Sequence, residues 1–263
     1  MPVHIPRHSP WTDQRLVLWA LLHRETITRF GKYKLGVLWM LVEPLISVIV
    51  IGLLLGPIVG RTSPDMPYAF FLLNGFVLLK TFVGPAMAGI GAISSNSGLL
   101  VFPKVRPLDI LLARFLFELV SSLFSFTIFS LIGLWIGIQI SLAHLHILLA
   151  TFIITWLLGS GTGLVLAVGT AHFQSLEKIF NFIKRPLIFV SCILYPLYNL
   201  PNVAQKILLY NPLVHTIELS RKSMFPLYHI GQVNLFYPTA AAIIVCAVGT
   251  CMFHNNRHIL TLR

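Results

Sequence analysis

Charged side chains inside long apolar stretches are the residues of this sequence that could do chemistry. Glu43 and Lys80 each interrupt an apolar run, and Arg114 lies four residues before Glu118 in a third. A charged group near a bilayer centre costs about 2.5–3.5 kcal/mol on insertion scales, so it needs a wet cavity, an opposite charge or a protein interior. These positions are therefore candidates for lining a transport route through a membrane, or for holding helices together.

The sequence leaves the role of each charge open. Glu43 precedes Pro44, which predicts a kink and leaves a carbonyl one turn earlier in need of a partner. Glu43 could serve that kink and helix pairing, or it could line the transport route. Lys80 could pair with Glu43, snorkel to the interface, or face the route. Arg114 could pair with the glutamate one turn later, or belong to a basic collar that receives an anionic substrate.

Motifs for catalysis or nucleotide binding are absent from the sequence. The chain has no G-x-x-x-x-G-K-[ST] phosphate loop, no H-E-x-x-H and no G-x-S-x-G. Gly159, Gly161 and Gly163 lie in an apolar run, where small residues let helices approach closely. His144 and His146 could bind a metal, but two lone histidines on a short loop are usually solvated. We expect no catalytic residue, no metal site, and a role in transport or scaffolding.

The composition indicates an integral membrane protein. Hydrophobic residues make up 56% of the chain and charged residues 10%, whereas soluble domains carry about 25% charged residues. The apolar runs are continuous rather than alternating, which favours helices over a barrel. The net charge of +11 fits cationic loops that contact anionic membrane lipids, and we expect no nucleic-acid binding, because no basic stripe occurs on a soluble module.

Six apolar segments predict an all-α fold with six transmembrane helices. They are residues 35–56, 69–89, 110–138, 147–170, 187–200 and 236–253. Between the fifth and sixth lies a second apolar stretch that is too brief to span a bilayer. We predict two short re-entrant helices there, separated at Asn211-Pro212, with Asn211 as the cap of the second helix.

The distribution of charged and apolar residues predicts two domains, and it predicts on which side of the membrane the termini lie. Residues 1–34 are predicted to form a cytoplasmic N-terminal segment, and residues 35–263 a transmembrane domain. Fourteen Lys and Arg residues lie in or beside the N-terminal segment, the loops after spans 2 and 4 and the tail, against four in the opposite loops. This bias places both termini in the cytoplasm of a multi-pass protein.

The pattern of residues within the N-terminal segment 1–34 predicts an amphipathic helix. One face carries Leu16, Trp19, Ala20, His23, Ile27 and Phe30, and another carries Arg24, Glu25, Thr28, Arg29 and Lys32. Such a helix could lie on the membrane surface or pack on a partner subunit, and both interpretations stay open.

Aromatic residues cluster near the predicted outer ends of spans 2 and 5. Interfacial belts explain most of them. Flat ring faces can also stack on sugar rings, so a second interpretation is a glycan track that includes Tyr68, Phe71, Tyr195 and Tyr198.

Four ordered blocks of sequence together resemble a known family. The blocks are RETITRFGKYKLGVLWMLVEPL, FLLNG, NSGLLVFPKVRPLDILLAR and NPLVHTIELSR. In this order they resemble the membrane subunit of capsular polysaccharide exporters, which are ABC-2 type transporters of Gram-negative bacteria. The resemblance covers essentially the whole chain and implies a permease that moves a capsular glycolipid across the inner membrane. Alternatives are an ABC-2 permease for O-antigen or teichoic acid, or a non-transporting membrane scaffold of capsule assembly.

The resemblance also implies partners. The permease would be a homodimer that binds no cofactor itself, and ATP and magnesium would be bound and ATP hydrolysed on two separate ATP-binding subunits. A periplasmic co-polymerase-type protein and an outer membrane exporter would complete the path of an anionic glycolipid substrate.

Three groups of site residues follow from the resemblance. The contact with the ATP-binding subunits would lie in residues 96–109, with Asn96, Phe102, Pro103, Lys104, Arg106, Pro107 and Asp109. The surface helix would present Trp19, Arg24, Arg29 and Lys32. The outer gate would contain Asn211, Pro212, His215, Glu218 and Arg221.

Overall fold

The regular secondary structure is entirely helical over the part of the chain that the structure describes. The structure, a computed structural model, describes residues 10–30, 36–59, 66–92, 94–99 and 104–256. The α-helices are α1 (Pro10–Phe30), α2 (Gly36–Val59), α3 (Tyr68–Gly89), α4 (Pro107–Trp135), α5 (Leu145–His172), α6 (Ser175–Ile183), α7 (Leu187–Val190), α8 (Asn202–Leu208), α9 (Pro212–Met224) and α10 (Phe236–Asn255). Two 3₁₀ segments occur at Ser94–Leu99 and Leu197–Asn199. The all-α prediction is confirmed.

Five of the described helices are long and apolar enough to cross a membrane: α2, α3, α4, α5 and α10. Their bounds agree with five of the six predicted spans to within a few residues. Each is long because its sequence is a continuous apolar run, and about 20 residues are needed to cross the hydrocarbon core.

The predicted fifth span, residues 187–200, differs from the prediction. It forms the four-residue helix α7, a turn and a 3₁₀ segment rather than one helix. Cys192 adopts a left-handed conformation in that turn, with φ of 54°, and Pro196 supplies no N–H for a helix that would continue through it. A count of six spans therefore stays a prediction. The two predicted short helices that follow are present as α8 and α9.

Helix α5 lies at the centre of the bundle and contacts α3, α4, α9 and α10. Three of its glycines make these contacts possible. A Cβ added at Gly163 would lie 2.5 Å from the carbonyl oxygen of Pro85 in α3, and one added at Gly161 would lie 2.8 Å from the backbone nitrogen of Cys246 in α10. A Cβ at Gly159 would overlap the backbone of α3. The prediction that these glycines serve helix packing is confirmed.

Helix α2 lies at the periphery, with 11% of the window Met40–Pro57 buried. It continues through Pro44, whose missing N–H leaves the carbonyl of Met40 without its usual partner. The hydroxyl of Ser125 in α4 lies 3.5 Å from that carbonyl oxygen and 2.9 Å from the carbonyl oxygen of Ser121. A neighbouring helix therefore offers a polar group to the position that proline disrupts.

Helix α1 carries apolar residues on two faces. Leu21 is buried against Ile110 and Ala113 near the start of α4, and Val17 packs beside it. The face that the sequence pattern identified as apolar, with Leu16, Trp19, Ala20, His23 and Ile27, is exposed. Lys32 and Lys34 of the predicted helix lie outside the described residues.

Candidate functional site

A cavity of about 520 Å³ collects most of the charged groups that interrupt apolar helices. It lies between α2, α3 and α4, the C-terminal end of α1, and the segment that joins α6 to α7. Its charged lining consists of Arg29, Glu43, Lys80, Glu118, Lys184 and Arg185. Its apolar lining includes Pro44, Phe76, Leu79, Val83, Met87 and Ile188. We call this space the charged cavity. Four cations and two carboxylates leave it with two formal positive charges.

Glu43 and Lys80 form an ion pair across the cavity wall. The Nζ of Lys80 donates to the Oε2 of Glu43 at 2.7 Å. The lysine side chain is 23% exposed and the glutamate 63% exposed. Of the alternatives for Lys80, the structure shows the pairing with Glu43. Because the pair also lines the cavity, a structural role and a role in the transport route remain compatible.

A second group of ions links α1 to α4. The guanidinium of Arg29 contacts both Glu25, one turn earlier, and Glu118 of α4. Arg114 lies 3.6 Å from the other carboxylate oxygen of Glu25. We call these four residues the α1–α4 ion cluster. Within the described residues, Glu118 is therefore the partner of Arg29 rather than of Arg114, the residue four positions earlier.

The lack of a side chain at Gly84 leaves room for the side chain of Glu118 beside α3. A Cβ at position 84 would lie 2.6 Å from the Oε2 of Glu118. The glutamate side chain therefore lies directly over the backbone of α3, where it contacts Arg29 at the cavity rim. The sequence alone did not single out this contact, because positions 29, 84 and 118 are far apart in the chain.

The segment predicted to contact an ATP-binding subunit packs against α1. Arg24 donates to the Oδ1 of Asn96 at 2.8 Å, and Arg114 donates to the hydroxyl of Ser95 at 3.0 Å. Asp109 is buried and accepts from the backbone nitrogen of Arg106 at 3.1 Å, which caps α4. Pro107 lies in the first turn of α4, and Lys104 and Arg106 are exposed. Phe102 and Pro103 lie outside the described residues.

Two of the five predicted outer-gate residues, Glu218 and Arg221, lie in a buried polar core around Arg221, which we call the Arg221 cluster. Arg221 and Glu218 are fully buried and joined at 2.8 Å. The guanidinium also donates to the carbonyl oxygens of Cys192 and Ile193, and it lies over the ring of Phe71 at 3.4 Å from the centroid. These contacts fix the turn after α7 against α3 and α9.

Tyr228 completes the Arg221 cluster. Its hydroxyl lies 3.1 Å from each carboxylate oxygen of Glu218. Burial raises the pKa of Tyr228 far above its ordinary value, so the hydroxyl stays protonated and donates to the carboxylate.

Asn211 and His215 fix the start of α9. The side-chain oxygen of Asn211 accepts from the backbone nitrogen of Leu213 at 3.0 Å, which confirms the predicted cap, and Pro212 follows in the first turn. His215 has a contact at each ring nitrogen: Nδ1 accepts from the backbone nitrogen of Asn234, and Nε2 lies 2.9 Å from the carbonyl oxygen of Leu209. A neutral ring protonated at Nε2 satisfies both.

The aromatic residues proposed for a glycan track lie by the Arg221 cluster and do not line the charged cavity. Phe71 is fully buried beneath Arg221. The hydroxyl of Tyr68 donates to the carbonyl oxygen of Leu194, and that of Tyr195 donates to the carbonyl oxygen of Phe189. Tyr198 packs edge-on against Tyr228. Their contacts tie the segment after α7 to α3.

Lys184 and Arg185 are cavity residues that the sequence did not identify as candidates. They stand at the end of α6, immediately before Pro186, and form no ion pair among the described residues. Basic residues beside a membrane segment are expected in any cytoplasmic loop, because they set the orientation of the protein in the membrane. The sequence therefore gave no reason to assign these two residues to a binding site. The structure shows that both residues line the charged cavity.

The charged and apolar groups around the cavity are suited to binding a ligand. Within the described ranges, no three His, Cys, Asp or Glu side chains come together as a metal site, and the rings of His144 and His146 lie 6.1 Å apart. The charged cavity instead combines cationic groups with an apolar wall, which fits an amphiphilic anion.

Comparison with known proteins gives a consistent result. The family model described as ABC-2 type transporter matches residues 17–225. The polysialic acid transport protein KpsM of Escherichia coli is 33% identical over 94% of this chain and 96% of its own. The capsule polysaccharide export inner-membrane proteins CtrC of Neisseria meningitidis serogroup B and BexB of Haemophilus influenzae are 28% and 29% identical, each over at least 90% of both chains.

Proposed function

Since this chain belongs to the ABC-2 type transporter family, we propose that it is the permease subunit of an ATP-driven exporter of a capsular polysaccharide glycolipid. The observation that carries this proposal is the similarity to relatives named for polysialic acid transport and capsule polysaccharide export, which extends over nearly the whole of each chain. The charged cavity among apolar helices supports it, because an anionic amphiphile needs such surroundings inside a membrane.

The proposal places the chain in the inner membrane with both termini in the cytoplasm. The relatives CtrC and BexB are named inner-membrane proteins. The C-terminal end of α3, the N-terminal end of α4 and the helix α1 lie together, as the contacts of Asn96 and Asp109 with α1 indicate. This end of the bundle would face the cytoplasm, and the Arg221 cluster would lie toward the periplasm.

ATP would be hydrolysed by separate subunits and not by this chain. Two ATP-binding subunits would contact a permease homodimer through residues 96–109. The contact of Asn96 with Arg24 supports this, because it joins the segment to α1, and Arg29 of the same helix lines the charged cavity. A periplasmic co-polymerase-type protein and an outer membrane exporter would receive the polymer.

Deletion of the gene in its native host tests the proposal. We expect the capsular polymer to accumulate inside the cell, and expression of the unaltered chain to return it to the surface, as measured by fractionation and polymer-specific staining. Continued export without this chain would reject the permease and would leave a scaffold as the simplest role.

A further inference from the structure

We propose that the charged cavity binds the phosphate group of an anionic lipid, with Lys184 and Arg185 as the groups that recognise it. This inference rests on the proposed function, because the phosphate would belong to the lipid end of the exported glycolipid. It assigns the cavity one chemical class of ligand and one pair of recognition residues.

The distribution of charge in the cavity supports an anionic ligand. Lys80 is neutralised by Glu43, and Arg29 contacts Glu118. Lys184 and Arg185 line the same cavity and form no ion pair among the described residues. The two formal positive charges that remain in the cavity are therefore those of one ammonium and one guanidinium. Together they can provide point-charge and bidentate hydrogen bonding, which suits phosphate oxygens.

The apolar lining supports a lipid rather than a free ion. Phe76, Val83 and Met87 of α3 and Ile188 of α7 line the same cavity as the charged groups. Acyl chains placed along this wall would leave water while the head group reaches the cations. A cavity of about 520 Å³ falls within the usual range for small-molecule sites, roughly 300–1,000 Å³.

A phosphate bound in the cavity could change the ion pairs of the neighbouring α1–α4 ion cluster. A phosphate near Arg29 would compete with Glu118 for its guanidinium. Arg29 also contacts Glu25, and Glu25 lies near Arg114, which donates to Ser95. Occupancy of the cavity would thus alter the contact between Arg114 and Ser95 that holds the segment 94–99 against α4.

Lipid binding to the purified full-length chain tests the inference directly. The protein is held in a neutral maltoside detergent, and binding of dioctanoyl phosphatidylglycerol is measured by native mass spectrometry. Lys184→Gln and Arg185→Gln remove no ion pair seen in the structure, so the double variant should fold. We expect its affinity to fall about tenfold or more, the loss typical of charge-assisted hydrogen bonds. Lys178→Gln, on the exposed side of the same helix, should bind as the unaltered chain does.

Four outcomes would overturn the inference. The first is equal binding by the double variant, and the second is equal weakening by Lys178→Gln. The third is equal affinity for dioctanoyl phosphatidylcholine, whose phosphate is neutralised by its own choline, or for inorganic phosphate, which cannot use the apolar wall. The fourth is normal polymer export by a double variant that no longer binds the lipid, because the bound lipid would then come from the membrane rather than from the substrate. Failure of export by the unaltered chain would instead reject the proposed function.

Discussion

The ion pair between Glu43 and Lys80 is asymmetric in its burial. The lysine is the more enclosed partner and the glutamate the more exposed one. A cation held in an apolar helix is costly without a partner, and Glu43 supplies that partner while remaining accessible from the cavity. A substrate anion could then take the place of Glu43 without leaving the lysine unpaired.

Neutralising one member of this pair should impair export more than neutralising both. Glu43→Gln leaves Lys80 without its carboxylate, and Lys80→Gln leaves Glu43 without its cation. We expect each single variant to insert normally and to export less polymer, and the double variant to recover part of the loss. Surface polymer per inserted protein measures this. Glu177→Gln, on an exposed position of α6, is the matched control, and unimpaired export by Glu43→Gln would exclude a role for its charge.

Replacement of Arg221 should destabilise the protein. Arg221→Met removes the contact with the ring of Phe71, removes hydrogen bonds to three backbone carbonyl groups, and leaves the buried Glu218 without its cation. Breaking a buried ion pair in this way typically costs about 3–5 kcal/mol, which corresponds to a fall of roughly 10 °C in Tm. Thermal unfolding in detergent measures it. Lys206→Gln should leave the Tm unchanged, and a stable Arg221→Met variant would show that the cluster does not hold the fold.

The central helix α5 depends on glycine at the positions where its neighbours cross it. Gly163→Ala would place a methyl group against the backbone of Pro85 and the ring of Phe115. The helices must separate to admit it, and overpacking of this kind costs about 1–3 kcal/mol. We expect a lower Tm and weaker expression. At Gly52 of α2 the nearest atom to an added Cβ is 3.9 Å away, so Gly52→Ala should be tolerated. Equal stability of the two variants would contradict the crossing.

The start of α4 is the element through which motion would reach the cavity. Asp109→Ala removes the cap of α4 and the contact with Gln14 of α1. We expect the complex with its ATP-binding subunit to keep hydrolysing ATP while polymer export falls, so that more ATP is used for each polymer moved. Asn255→Ala, at the exposed end of α10, should keep the unaltered ratio. An unchanged ratio in Asp109→Ala would place the coupling contact elsewhere.

Local patterns in the sequence predicted much of this fold. They did not predict contacts between residues that are far apart in the sequence. Continuous apolar runs predicted six spans, five of which correspond to the long helices of the structure, and Asn211-Pro212 predicted the start of α9. The packing of Val17 and Leu21 against Ile110 and Ala113 of α4 was not predicted, because these partners lie far away in the sequence. The pairing of Arg29 with Glu118 was hidden for the same reason. The turn after α7 was not predicted because an apolar run alone does not reveal where a helix ends.

The whole molecule has a peripheral helix, a packed centre and two separate polar regions. Helix α2 is largely exposed, whereas α3 and α5 are mostly buried. The Arg221 cluster is fully satisfied by protein groups except for one guanidinium nitrogen, Nε of Arg221, among the described side chains. The charged cavity retains two cations, Lys184 and Arg185, that form no ion pair within the part of the chain that the structure describes. The first region is therefore suited to holding the helices together, and the second to binding a substrate that enters and leaves.

ATP-dependent translocation in reconstituted vesicles tests the central claim most directly. The purified chain and its ATP-binding subunit are placed together in sealed vesicles, and uptake of the glycolipid into the lumen is followed by its protection from an added glycosidase. The account predicts protected polymer only when both proteins and ATP are present. Protection by this chain alone, or none with both proteins and ATP, would contradict it.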